Sequence, residues 1–289
     1  MRVNAQSWTE KLWARGFKPR AKIKQEFPEL CTGLKPRAHR APDPLPPRRN
    51  PCFLRGCPTV EHATTKRWQE AQEAELDWWQ NWRKLPFYKN HSFASYWGNV
   101  ISEVMSEADV AKARTIVEVG CGPHGVVRYM FKDAQVKLGT DPLLCQYDER
   151  PKPVGNTFYA AAVGESIPVK DGVADLVICI NVIDHVMDAD QILMEMRRVL
   201  KPGGQLLLEV HTFPAIFTPF MFFDHPHTYH WTLRTVIELV RKTGFSIERT
   251  RQLQFPIRLP WTSLFVPSHW KYIFGKLFMR LTYVNCRLP

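Results

Sequence analysis

The stretch TIVEVGCGPHG, Thr115–Gly125, decides the fold. A β-branched apolar run carries one acid, Glu118, and ends in glycines at 120, 122 and 125. Such a run reads as a strand feeding a turn in which the backbone bends tightly or comes close to a ligand. The glycines satisfy G-x-G-x-x-G, and the same letters satisfy the looser E-x-G-x-G. The two patterns serve ligands of different charge, so the rest of the chain has to choose between them.

Outward from that turn, strand-like and helix-like segments alternate. The apolar runs VKLGTD, NTFYAAA, ADLVICI and QLLLEVH predict further strands, with helices near 124–132, 189–200 and 232–243. The last of these is capped by Thr232, turns Leu233, Val236, Ile237 and Val240 inward, and stops before Gly244. Near-continuous apolar strands separated by helices imply a doubly wound α/β domain with a mostly parallel sheet covered on both faces. It is expected over residues 111–257. Ahead of it, residues 65–110 read as an N-terminal helical cap. Ala71, Ala74, Trp78, Trp82 and Leu85 fall on one helical face there, and Phe93, Tyr96, Trp97, Val100, Ile101 and Val104 on another.

The chain has 289 residues and a formal net charge of +11, which taken whole suggests a nucleic-acid binder. Divided, the charge tells a different story. Residues 1–60 hold 13 Lys/Arg against 4 Asp/Glu, and 258–289 hold 5 against none, leaving 21 against 24 in 61–257. The basic character belongs to two arms, and the body is mildly acidic. Residues 1–64, rich in proline and arginine, read as a disordered basic arm, and 258–289 as a basic aromatic extension. Seven cysteines occur without a C-x-x-C pair, and no secretory segment opens the chain, so reduced thiols in a cytoplasmic protein are expected. Cys31, His39, Cys52 and Cys57 match no standard zinc spacing, and no metal is expected.

In doubly wound sheets ligands lie beyond the carboxyl ends of the strands, at the switch in strand order, which puts the site at the turn after Val119. Asp141 ends the second strand 21 residues after Gly120, where a carboxylate can accept from ribose hydroxyls. Glu118 then separates the candidate ligands. An isolated buried carboxylate is costly, and it is tolerable beside a ligand that brings positive charge. S-adenosylmethionine carries an ammonium and a sulfonium, whereas a dinucleotide carries a pyrophosphate.

The series EVGCGPHG, KLGTDP, GESIPVKDGVADLVICINVIDHV and RRVLKPGGQLLLEV resembles the Rossmann-like, class I S-adenosylmethionine-dependent methyltransferases, over about residues 115–245. It is most similar to the branch acting on quinones, lipids and other small molecules. The resemblance implies a seven-stranded sheet and S-adenosyl-L-methionine as cofactor. It places Glu118, Gly120, Cys121 and Gly122 along the methionine end, Asp141 on the ribose, and Pro142 and Leu143 beside the adenine. Gly164, Glu165 and Ser166 would cover the other adenine face, and Asn181 would sit by the methionine. Two departures stand out: His124 occupies the place of a third glycine, which comes one later as Gly125, and Val163 stands where an acid often meets the adenine amino group.

Methyl transfer from a sulfonium needs alignment above all, plus a base when the acceptor carries a proton. His185, four residues past Asn181, is one candidate for that base, with a structural role as its alternative. His227 is the other. It lies in FDHPHTYHW, Phe223–Trp231, with Asp224, His225, Tyr229 and His230, directly after the apolar FPAIFTPFMFF. That order reads as an apolar lid ending in polar groups, which favours a small hydrophobic or amphipathic acceptor taking the methyl on oxygen, nitrogen or carbon. A helix near Tyr272–Tyr283 would either lie on an anionic membrane surface or cover a face of the sheet. The rivals in other classes are an RNA methyltransferase gripping phosphates with its basic arms, and a non-catalytic binding protein that keeps the fold.

Overall fold

The computed structural model describes residues 65–84, 92–218, 221, 227–254 and 277–289, apart from the side chains of 65, 82 and 83. All of them except 168–170 belong to one compact unit formed by 54–167 and 171–289. In chain order they form α1 (Thr65–Lys84), α2 (Phe93–Val104), α3 (Glu107–Lys112), β1 (Thr115–Val119), α4 (Val126–Tyr129), β2 (Val136–Thr140), β3 (Thr157–Ala160), β4 (Ala174–Ile180), α5 (Ala189–Val199), β5 (Leu200–Thr212), α6 (Leu233–Lys242), β6 (Ser246–Leu253) and β7 (Arg280–Arg287).

The strands make one seven-stranded sheet in the order β3-β2-β1-β4-β5-β7-β6. β3, β2, β1, β4 and β5 run parallel, whereas β7 pairs antiparallel with both β5 and β6. This is the doubly wound, mostly parallel sheet that the alternating apolar runs implied. The order reverses between β1 and β4, and the turn after β1 opens at that reversal.

Local sequence explains the helices that flank it. Asp188 caps α5 by accepting from the Asp190 and Gln191 amides, and Ile192, Leu193, Met196 and Val199 then fall on the buried face. Thr232 and Thr235 form a reciprocal capping box on α6, which buries Val236, Leu239 and Val240 and ends at Gly244 in the left-handed region (φ +86°). On the other face, Ile101 and Val104 of α2 pack into one cluster with Ile116, Val126, Val127, Leu176 and Ile178.

Several expectations change. The helix foreseen near 124–132 contracts to Val126–Tyr129, because Met130 already has extended backbone. Trp78, assigned inward, is 50% exposed; Ala71, on the same expected face, is buried, and Trp68, which was not assigned, is buried with it. Leu233 is exposed as well, being the first residue of its helix. The largest correction is at the C-terminal end. Residues 280–283, expected in a helix on a membrane or against the sheet, are strand, and Thr282 and Tyr283 are buried between β5 and β6. The extension drawn over 258–289 therefore contributes the seventh strand to the sheet. The basic arm over 1–64, Trp82, Leu85, Asp224, His225 and residues 219, 220, 222 and 223 of the apolar stretch before them fall outside the described residues and side chains. Among the described residues, no helix is long and apolar enough to cross a membrane.

Candidate active site

The glycines of the opening turn make room for neighbours inside the protein. Gly120 and Gly122 sit at φ +70° and +51°, where a side chain is strained. A Cβ at Gly120 would lie 2.2 Å from Val182 Cγ2, and one at Gly122 would rest 3.5 Å from the Trp79 indole. At Gly125 it would collide at 2.6 Å with both the Cys121 carbonyl and Glu118 Oε2. The turn is thus pressed between the loop after β4 and α1. The amphipathic helix α1 was legible in the sequence, but its use of Trp79 as a cover over the turn was not.

Glu118 is 3% exposed and points at the start of α4. Its Oε1 accepts from the Val126 amide at 2.8 Å and its Oε2 from the Val127 amide at 2.9 Å. The helix N-terminus therefore meets part of the charge that the sequence reading left to a ligand. Part remains: burial pushes the carboxyl up to about 7 against those two bonds, and the Asp141 charge adds to the rise. Asp141, 6% exposed, accepts from Gly122 N at 3.0 Å, Leu143 N at 2.8 Å and the Tyr147 hydroxyl at 3.3 Å. Burial lifts it to about 6. Cys121 is buried with its thiol pushed well up, which keeps it protonated.

The remaining residues assigned to the cofactor are distributed unevenly. Leu143 is buried with Cys121, Leu144 and Tyr147 under Leu76 and Trp79, and Pro142 is half-buried. Gly164 is wedged against Ile192 and Val119. Glu165 turns its Oε1 to the Met187 and Asp188 amides, while Ser166 is exposed. Asn181 takes up left-handed backbone (φ +56°), and its Oδ1 is buried with no hydrogen-bond partner. Such strain in a non-glycine residue beside an orphaned acceptor is characteristic of ligand sites. His124 resolves the first departure from the family pattern by leaving the turn's inner side. Its ring stacks on Phe93 at 3.9 Å, and its Nδ1 lies 2.9 Å from the Tyr129 hydroxyl. Outside the turn, Trp79, Gln80, Pro123, His124, Tyr147, Asp148 and Glu149 line a small open cleft.

A second polar group gathers past the ends of β4 and β5. The amides of Thr228 and Tyr229 donate to the Asp184 carbonyl, and the Tyr229 hydroxyl donates to the Met187 carbonyl at 2.8 Å. These bonds dock the 227–231 segment on the loop after β4. His185 Nε2 and His227 Nε2 then lie 3.8 and 3.9 Å from Asp184 Oδ2, and the two rings stand 4.7 Å apart. Both histidines singled out in the sequence are thus brought together, around an acid that was not. Burial pushes Asp184 up, but the imidazoles of His185, His227 and His211 outweigh it and hold the carboxyl below its ordinary value. Glu209, 2% exposed, also went unnoticed; burial and the Asp184 charge push it well up. Its signal was present in QLLLEVH, an acid inside an apolar strand, the same kind of signal as Glu118.

Two buried carboxyls whose ionised forms are disfavoured, Glu118 and Asp141, form a set of acceptors at the turn after β1. It fits a ligand bearing an ammonium, a sulfonium and ribose hydroxyls, and it opposes a pyrophosphate. Fold and site together define a Rossmann-like domain for a cationic nucleoside ligand. The comparisons agree. Residues 117–208 match the family model described as a methyltransferase domain. Over 145 residues the chain is 29% identical to a tRNA U34 carboxymethyltransferase of Hahella chejuensis, covering 46% of this chain and 44% of that protein. It is 36% identical over 88 residues to the ubiquinone/menaquinone biosynthesis C-methyltransferase of Pasteurella multocida, covering 30% of this chain and 31% of that one. The chain spans less than half the length of these curated relatives. Among solved structures, a chain of the complex between the Haloferax volcanii Trm112 methyltransferase activator and the putative methyltransferase superposes with a TM-score of 0.55 at 17% identity, covering 74% of this chain and 96% of that one. A putative methyltransferase from Bacillus halodurans gives 0.53 at 17% identity, covering 68% and 99%. The chain carries a methyltransferase domain over residues 117–208, on a Rossmann-like methyltransferase fold.

Proposed function

We propose that the whole chain transfers a methyl group from S-adenosyl-L-methionine to a small hydrophobic or amphipathic acceptor enclosed past the ends of β4 and β5. The observation that carries this reading is the burial of Asp184, 3% exposed, beside His185 and His227, with Glu209, 2% exposed, close enough to feel the Asp184 charge. A reacting group has to enter the domain to reach them, which suits a compact molecule better than a strand lying on a basic face. Glu118 would face the cationic end of the cofactor, Asp141 the ribose and Asn181 the methionine moiety. When bound, the cofactor supplies an electrophilic methyl on a sulfonium. The protein's part is to align the acceptor, exclude water and, for a hydroxyl or protonated amine, take up the proton. In this reading His227 or His185 receives it, with Asp184 stabilising the imidazolium.

One observation favours an RNA acceptor as a second reading: the relative matched over 145 residues is a tRNA U34 carboxymethyltransferase, and residues 1–60 hold 13 basic residues against 4 acids. A single experiment separates the two. The purified full chain is incubated with methyl-labelled S-adenosylmethionine and cell extract, and the extract is then fractionated. Label in the lipid or small-molecule fraction is the expected result. Label confined to RNA overturns the primary reading in favour of the second.

A further inference from the structure

We infer that Asp184, His185 and His227 form a binding site for one divalent transition-metal ion of the zinc class, set at the acceptor end of the domain. One donor atom from each residue lies within 4.8 Å of the other two. Asp184 Oδ2 already stands 3.8 Å from His185 Nε2 and 3.9 Å from His227 Nε2. Donors bonded to a tetrahedral zinc ion at ~2.0–2.1 Å are about 3.4 Å apart, so these two pairs need to close by roughly 0.5 Å. The two imidazoles, within 4.8 Å of each other, would have to close as well, and side-chain rotation would have to supply the movement.

The second observation is what the cluster leaves unbonded. Asp184 is 3% exposed, yet its Oδ1 is buried without a hydrogen-bond partner, and both ring nitrogens of His185 are buried without one. Buried polar atoms are normally paired, and an unpaired carboxylate oxygen beside an imidazole with neither nitrogen bonded leaves at least one free lone pair on each of two adjacent residues. A structural ion pair between Asp184 and His185 would bring them to hydrogen-bonding distance, and 3.8 Å is too long for that. A cation takes the carboxylate oxygen and an imidazole nitrogen at once.

The donor set also selects the ion. Two imidazoles and one carboxylate suit zinc, cobalt, nickel or iron, whereas magnesium and calcium prefer all-oxygen surroundings. Three protein ligands leave coordination positions open, the pattern of catalytic rather than structural zinc. Docking of the 227–231 segment on the loop after β4 assembles the set, through the Thr228 and Tyr229 amides on the Asp184 carbonyl. What such an ion does rests on the acceptor reading above. It would bind an acceptor oxygen or nitrogen and lower its proton affinity, so that the proton leaves to water rather than to a bare imidazole. Whether the ion binds does not depend on that reading.

The test uses the untagged full chain, dialysed against chelator and titrated with Zn²⁺ by calorimetry and with Co²⁺ by visible absorption. The expected result is one tight equivalent, a d–d spectrum of low-symmetry Co²⁺, and a rise in melting temperature with Zn²⁺. Asp184→Asn and the double variant His185→Ala/His227→Ala should each weaken Zn²⁺ at least ~100-fold, while S-adenosylmethionine still binds at the separate glycine turn and reports an intact fold. Absence of a stoichiometric equivalent, or unchanged affinity in the double variant, overturns the site. The latter would move the ion elsewhere, for example to Cys31, His39, Cys52 and Cys57. Cofactor binding without metal binding refutes this inference alone, and metal binding without cofactor binding refutes the methyltransferase reading alone.

Discussion

Replacing Glu118 by glutamine separates the two partners that its carboxylate has been assigned, the start of α4 and a cationic cofactor. In the free protein, burial lifts the group from 4.5 to about 7 despite the Val126 and Val127 amides. That shift corresponds to about 3 kcal/mol, at ~1.4 kcal/mol per unit. Because the folded value lies above the unfolded one, the native state holds a proton that the unfolded chain releases. Glu118 therefore costs nothing below pH 4.5, destabilises progressively from 4.5 to about 7, and costs its full amount above that. Glutamine removes this slope. It also loses one of the two amide bonds, since its nitrogen cannot accept, at about 1 kcal/mol. The variant should match or fall slightly below the wild type at pH 5 and equal or exceed it at pH 8, so the two stability profiles cross. Asp141, lifted from 3.8 to about 6, contributes to both proteins, and the difference between them isolates Glu118. The cofactor reverses the sign. A cation beside the ionised group repays its burial, so wild-type affinity for S-adenosylmethionine should tighten from pH 6 to pH 8, and the variant should bind ~10–100-fold more weakly at pH 8. Thermal melts and calorimetry at both pH values check this. Parallel pH slopes together with wild-type affinity in the variant would refute the reasoning.

Two further substitutions probe the same end of the domain. Asp141→Ala leaves the Gly122 and Leu143 amides and the Tyr147 hydroxyl without their acceptor, and S-adenosylmethionine affinity should fall by an order of magnitude or more in calorimetry; unchanged affinity contradicts the ribose assignment. Gly125→Ala drives a methyl to 2.6 Å from Glu118 Oε2 and the Cys121 carbonyl, so urea unfolding should register a loss of about 1–3 kcal/mol, with cofactor binding weakened alongside it; a neutral result would mean that the turn has slack the structure does not display.

What the sequence made legible was local. β1 and its turn could be read because an apolar run, one acid and three glycines lie within Thr115–Gly125. The frame of α6 could be read because the cap at Thr232, the inward Val236 and Val240 and the stop at Gly244 sit within a few turns of helix. β7 was not legible. Thr282, Val284 and Cys286 are 0% exposed, and Tyr283 between them is 2% exposed, so the strand is buried on both faces and loses the alternation that marks an edge. Its identity comes from pairing with β5 and β6, which nothing near Arg280 in the sequence announces. The Trp79 cover escaped for a related reason: which face of α1 turns inward is set by the turn it packs on, not by its own periodicity.

The acceptor end shows the same division at the level of chemistry. His185 and His227 stood out as residues, but 42 positions separate them, and no spacing rule joins them to Asp184. They meet because two backbone amides of one segment need an acceptor, and the Asp184 carbonyl supplies it. The cofactor end was readable because one strand and one turn build its core, with Glu118 and Gly122 only four residues apart. The acceptor end is assembled from two loops across β4 and β5. A domain of this kind can keep the first end nearly constant while the second is rebuilt by changing loops, and the matched relatives carry different acceptors in their names. The chemistry of the acceptor has to be read from Asp184, Glu209, His185 and His227 themselves.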